Sequence, residues 1–248
     1  MYTNREEGKA RKLSSLKSFY DYYFKKNLIR TNPPRQVDVP KIKNKNIIRL
    51  DPNEIAQLLD EAESGEKLSG RQLASHEKTK VRDVAILTLL LGTGIRVSEC
   101  VGLNLEDVDF NNGAIRIIRK GGNEALIYFG DEVSQALEAY MNGPRKTAEP
   151  AAGHEEALFI SLNKTRITTR SVERLVKKYS RLVTTVKKIT PHKLRSTFGT
   201  ALYQETGDIY LVADTLGHKD VNTTKKHYAA IDEHRRRMAA NVVKLRES

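Results

Sequence analysis

The chain has 248 residues, 43 Lys and Arg against 31 Asp and Glu, and a formal net charge of +12. With 39% hydrophobic residues and no tryptophan, it has the make-up of a soluble globular protein, and no apolar run reaches the roughly 18 residues of a membrane span. A single cysteine, Cys100, excludes a disulfide framework and a multi-cysteine zinc site, and fits a reducing cytoplasm. Residues 1–50 carry a net +9, residues 51–160 a net −8 and residues 161–248 a net +11. Two basic blocks around an acidic middle point to a long polyanion such as DNA or RNA, whose counterions Lys and Arg displace.

In chain order, residues 5–27 read as an amphipathic helix, because Leu13, Leu16, Phe19, Tyr20, Tyr23 and Phe24 recur at spacings of three and four. Asn32-Pro33-Pro34 bars its continuation. Residues 35–50 form a basic linker holding Arg35, Lys41, Lys43, Lys45 and Arg49. Asp51-Pro52-Asn53-Glu54 has the spacing of a capping box with proline at the first helical position. The apolar segment Val81 to Leu91 predicts a core helix closed by Gly92-Thr93-Gly94, with a short helix over Arg96 to Leu103. The period then changes: Val108 to Phe110, Ala114 to Ile118 and Ala125 to Phe129 predict three strands, turning at Asn111-Asn112-Gly113 and Lys120-Gly121-Gly122. Helical patterns return after Asp131, around 168–182, 191–204 and 208–216, and in a basic segment at 232–246. Residues 143–157 read as a mobile loop. The expected fold is α+β and mainly α, a helical domain with a small three-stranded antiparallel sheet.

Four segments place phosphate-handling residue types beside turns or caps. In Gly92-Thr93-Gly94-Ile95-Arg96-Val97-Ser98-Glu99, Arg96 opens a helix with Glu99 one turn on, so the guanidinium can fork onto a phosphate while the carboxylate holds it. For that segment alone, a surface Arg–Glu pair is the simpler account. Lys120 stands on a hairpin turn, where an ammonium can deliver a proton and where most lysines are merely solvated. His192 and Arg195 lie three apart near a helix start, an end that favours anions, and a solvated polar face is the competing account. His218 follows Leu216-Gly217, and Tyr228 lies ten residues further in a basic stretch, where packing is the commoner use of a tyrosine.

Taken together, GTGIRVSE, a hairpin lysine, HKLR, LGH and a following tyrosine resemble the tyrosine recombinase family, the bacterial Xer-type recombinases and the phage or transposon integrases. The resemblance covers residues 51–248 as a catalytic domain, with residues 1–34 similar to the last helix of the family's N-terminal core-binding domain and 35–50 as linker. It implies that Tyr228 attacks a scissile phosphate in double-stranded DNA and forms a 3′-phosphotyrosyl link, with no metal, nucleotide or other cofactor. Arg96 and Arg195 would hold the non-bridging oxygens, with His218 adding a hydrogen bond. Lys120 matches the proton donor to the leaving 5′-oxygen, His192 would assist proton transfer at the tyrosine, and Glu99 would buttress Arg96. Lys41, Lys43, Lys45 and Arg119 are expected DNA contacts.

The resemblance also implies a homo-tetramer assembled on DNA, with the helix at 232–246 exchanged between subunits, and a cytoplasmic, nucleoid-associated site of action. Two departures stand out. Only about thirty residues occupy the place of a full core-binding domain, which reads as a fragment or a truncation with weakened DNA binding. The ten-residue step from His218 to Tyr228 is one longer than in many members. A type IB topoisomerase uses the same residue set to nick and reseal DNA, and a non-catalytic DNA-binding module of the same fold is the reading from another class. The helix-and-linker segment and the LGH run argue against the first, and the complete residue set argues against the second.

Overall fold

A computed structural model of the chain describes residues 6–40, 48–119, 121–218 and 221. Contacts divide the chain into two units, residues 1–46 and 47–248. In the first, α1 (Glu6–Lys25) ends before Asn27, which takes a left-handed φ of 56°. Pro33–Gln36 forms a short 3-10 turn, tied back to α1 by Asn32 and Arg35, which both donate to Asp21 Oδ1. The apolar stripe expected along α1 exists, but Leu16, Phe19 and Phe24 on it are exposed and only Ala10 is buried. The described residues of this unit supply no second layer for the stripe to pack on.

The second unit begins with the expected cap. Asp51 Oδ1 accepts from the Glu54 N–H while Glu54 Oε2 accepts from the Asp51 N–H, starting α2 (Pro52–Ser64). That cap holds the carboxyl of Asp51 below its usual range, chiefly through the Glu54 N–H. A helix not foreseen in the sequence follows, α3 (Gly70–Glu77). Next comes α4 (Lys80–Thr93), whose Ala85, Ile86, Leu87, Leu89 and Leu90 are buried almost completely. It runs through Gly92 and Thr93, so Gly94 alone, at φ 63°, makes the expected stop.

Beyond α5 (Val97–Gly102), strands β1 (Val108–Asp109), β2 (Ala114–Ile118) and β3 (Glu124–Tyr128) form an antiparallel sheet in sequence order. Ile115 pairs with Ile127 and Ile117 with Ala125, and this face turns to the core. The α-helices α6 (Asp131–Tyr140), α7 (Thr169–Val183), α8 (Pro191–Thr206) and α9 (Ile209–Thr215) complete the described residues. The main core runs from Leu50 to Leu194, and a smaller one joins Tyr203, Val212 and Leu216 between α8 and α9. Leu50 N–H donates to Thr197 Oγ1 at 3.1 Å, fastening the entry of the chain to α8.

The segment expected to be a mobile loop is held in place instead. Met141–Arg145 extends α6 as a π-helical turn, and buried Arg145 donates to the carbonyls of Ala157 and Glu155. Arg166 donates to Val101 O and Leu103 O, at the end of α5. An arginine fork across two carbonyls fixes backbone that has no ladder partner of its own.

α3 is docked by a buried polar cluster. His76 is fully buried, with Nδ1 3.0 Å from Tyr179 Oη; that hydroxyl donates to Asp83 Oδ2 and accepts from Lys178 Nζ, each at 3.0 Å. Burial, helped by the nearby Lys178 charge, lowers the pKa of His76; burial also lowers that of Lys178 and raises that of Tyr179. His76 therefore stays neutral in the fold but protonates in the unfolded chain, so its contribution is present above the ordinary histidine range and lost as pH falls through it. Thermal unfolding of wild type followed from about pH 8 to about pH 5.5 should show this fall, and His76→Gln should flatten it. An equally steep pH dependence in the variant would contradict the assignment.

Candidate active site

The site is built where three stretches meet, and each is placed by a helix end. Gly94 lets the chain turn out of α4 with no room to spare: a Cβ there would lie 2.3 Å from Phe198 Cδ1 and 3.0 Å from Leu216 Cδ2. Arg96 then precedes the first turn of α5. Glu99, itself buried, clasps it twice, accepting from its backbone N–H at 2.7 Å and from Nη1 at 2.7 Å. The Arg96 side chain keeps 37% of its surface exposed against 4% for that of Glu99. The carboxylate thus holds a guanidinium that still faces outward, an arrangement suited to gripping an anion.

The second stretch is the start of α8. Pro191 occupies its first turn, as expected from its missing N–H. His192 is exposed there, and Arg195, one turn on, is buried at 6%. Arg195 Nη1 donates to Gly94 O at 2.5 Å and Nη2 to Leu216 O. It thereby bridges the turn before Arg96 to the end of α9.

The third stretch is that end. Gly217 takes a φ of 60°, its N–H returns to Asp214 O at 2.8 Å, and the His218 N–H reaches Ala213 O at 2.9 Å. This is a Schellman closure, and it sets His218 immediately past the helix with its side chain half-buried. The carbonyls left at the terminus do not face water alone. Gly217 O accepts from Arg96 Nη2 at 3.1 Å, Leu216 O from Arg195, and Thr215 O and Asp214 O from Arg119 Nη2 at 3.2 and 3.4 Å. Three arginines from three segments converge on one helix end, where the backbone dipoles favour cations.

The structure thus brings Arg96, Glu99, Arg195 and His218 together through this turn, with His192 at the exposed start of α8. Arg119, expected as a DNA contact, is half-buried: its guanidinium lies against Gly217 and donates to the carbonyls of Thr215 and Asp214. Lys120, Tyr228, Lys41, Lys43 and Lys45, and the helix expected at 232–246, lie outside the described residues. A groove of about 740 Å³ borders the start of α8, lined in part by Lys177, Arg181, Lys188 and Thr190. Cys100, on α5, is fully buried and takes no part; burial pushes its thiol up to about 12. Among the described residues no three His, Cys, Asp or Glu side chains cluster as a metal site would need, and no helix is long and apolar enough to cross a membrane.

The chain belongs to the phage integrase family, as a tyrosine-type site-specific recombinase: the family profile matches residues 48–235. Tyrosine recombinase XerC of Thermodesulfovibrio yellowstonii is 37% identical over 218 residues, which span 87% of this chain and 69% of that protein. The XerC of Syntrophus aciditrophicus is 35% identical over 223 residues, spanning 89% and 68%. Among solved structures, the Tn1549 transposon integrase in complex with circular intermediate DNA superposes with a TM-score of 0.69 at 25% identity, over 94% of this chain and 78% of that one. XerA recombinase does so with a TM-score of 0.64 at 25% identity, over 93% and 76%.

Gly94 cannot take a side chain without a shift, since a Cβ there would meet Phe198 and its φ is left-handed. Gly94→Ala should lower the unfolding free energy by about 1–3 kcal/mol in denaturant titrations. An unchanged free energy would contradict the close approach.

Proposed function

We propose that this chain binds double-stranded DNA and cleaves and rejoins its strands through a covalent phosphotyrosyl intermediate. The observation that carries the reading is the placement of Arg96 and Arg195, two guanidiniums held on adjacent carbonyls of one helix end. Arg195 binds the carbonyls of Gly94 and Leu216, and Arg96 divides its hydrogen bonds between Glu99 and the Gly217 carbonyl. Two such forks match the non-bridging oxygens of one phosphodiester and the charge that builds there in a pentacoordinate transition state.

In the proposed step the Tyr228 phenolic oxygen attacks phosphorus, and its proton passes with the help of exposed His192. The bond from phosphorus to the 5′-oxygen breaks, and that oxygen leaves as a hydroxyl with a proton from Lys120. His218 donates a further hydrogen bond to the phosphate. Rejoining is the reverse: a 5′-hydroxyl attacks the phosphotyrosine, Lys120 recovers the proton and tyrosine is released. Bond energy is conserved in the protein–DNA link, so the step needs no nucleotide hydrolysis, and none of these residue roles calls on a metal.

The same reading places the basic groove by α8 and the linker lysines Lys41, Lys43 and Lys45 along the DNA backbone. It takes the active form to be a tetramer on DNA with the helix at 232–246 exchanged between subunits. The similarity to XerC proteins over most of the chain favours recombination over the topoisomerase reading. A nicked duplex that loses its short 3′ product on cleavage traps the intermediate. Wild type should give an SDS-resistant protein–DNA adduct and Tyr228→Phe none. An adduct of undiminished yield in Tyr228→Phe would overturn the nucleophile, and none from wild type on a pool of randomised duplexes would overturn the reaction.

A further inference from the structure

We propose that Arg119 is a positioning residue for strand cleavage: it latches the β2–β3 turn, and with it the neighbouring Lys120, onto the turn that carries His218. The inference rests on the reading of Lys120 as proton donor to the leaving oxygen. Arg119 is the last described residue before that lysine, and its backbone closes the hairpin. Its N–H donates to Asn123 O at 2.8 Å, and its carbonyl accepts from the Gly122 N–H at 3.1 Å. Whatever holds the Arg119 side chain therefore holds the tip of the hairpin.

The side chain is held by the end of α9. Nη2 donates to Thr215 O and Asp214 O, some 96 and 95 positions along the chain. The guanidinium occupies the space a side chain would need at Gly217, where a Cβ would lie 2.5 Å from Cζ and 2.5 Å from Nη1. Its Nε is buried and has no hydrogen-bond partner. An arginine there only for solubility would swing outward and hydrate all five donors, so the buried, partly unpaired position reflects a packing demand rather than surface charge. Lysine could not replace it, because a single ammonium lacks the planar fork that covers glycine while reaching the carbonyls.

The turn that receives Arg119 is the one that receives Arg96 at Gly217 O and Arg195 at Leu216 O. The hairpin turns through Gly121 and Gly122, whose φ values of 102° and 81° are left-handed. By gripping consecutive carbonyls of one turn, the three arginines tie the end of β2, next in sequence to Lys120, to the two phosphate-holding forks. Misplacing a reacting group by about 1 Å is enough to cost about 10²-fold in rate.

The test compares single-turnover cleavage of two nicked duplexes bearing the site selected from a randomised pool by covalent capture. One has the natural bridging 5′-oxygen at the scissile bond and the other a bridging 5′-sulfur, which leaves as a thiolate without needing a proton. Arg119→Ala should slow cleavage of the oxygen substrate by about 10²-fold, cleave the sulfur substrate at nearly the wild-type rate, and leave DNA affinity unchanged. Lys120→Ala should show the same pattern, and Arg119→Lys should behave as Arg119→Ala. Equal slowing on both substrates, or a loss confined to affinity, would overturn the positioning role. If sulfur fails to rescue Lys120→Ala, the proton-donor reading itself falls, whatever Arg119→Ala does. Hydrogen exchange supplies a readout independent of DNA: the Gly122 amide should exchange faster in Arg119→Ala while global unfolding is unchanged, and unaltered exchange would overturn the latch.

Discussion

The last carbonyls of a helix have no partners inside it, and the end of α9 is where this catalytic unit is tied together. Gly217 folds the chain back, and Asp214, Thr215, Leu216 and Gly217 then offer oxygens to Arg119, Arg195 and Arg96. Each arginine comes from a different element: the hairpin tip, the first turns of α8, and the start of α5. All three elements also share the main core, through Ile117, Leu194 and Cys100. The carbonyl turn is the common reference, and His218 is its next residue.

This changes how the net charge of the chain is read. Part of the basic surplus is turned inward, because Arg82, Arg145 and Arg166 also donate to backbone carbonyls, and Arg145 is buried. Arg195 is buried for the same reason, yet its position between Gly94 and Leu216 aims it at the site rather than away from it. The acidic middle of the chain supplies Glu99, which restrains Arg96 without covering it. Charge on this protein is partly a folding device, and only the remainder is available to a polyanion.

What could be read in advance was what local physics determines. The Asp51 box, the alternation of Ile115 and Ile117, and proline at the start of α8 each depend on neighbours within a few residues, and each appears where the sequence places it. GTGIR, HKLR and LGH were recognisable as a set, and the geometry explains their three glycines: Gly92 lies against Val133, Gly94 against Phe198 and Gly217 against Arg119. α3 was hidden because Gly70–Glu77 is short and polar, and His76 is buried by Tyr179, over a hundred positions away. The segment around 143–157 looked like a loop because its anchor is Arg145, bound to carbonyls ten and twelve residues on, a contact with no periodicity. The grip of Arg119 on Asp214 O and Thr215 O left no trace in the sequence for the same reason.

The central claim is that Arg96 and Arg195 act on the charge of a single phosphate. Replacing one non-bridging oxygen of the scissile phosphate with a methyl group removes that charge and leaves the linkage otherwise intact. Cleavage of the charged and neutral duplexes by wild type, Arg96→Ala and Arg195→Ala measures the claim directly. On the natural phosphate each variant should lose on the order of 10²-fold or more in rate. On the neutral methylphosphonate the loss should largely disappear for at least one of the two arginines. Undiminished losses for both on the neutral duplex would contradict a role in holding the phosphate and leave the two arginines as scaffold.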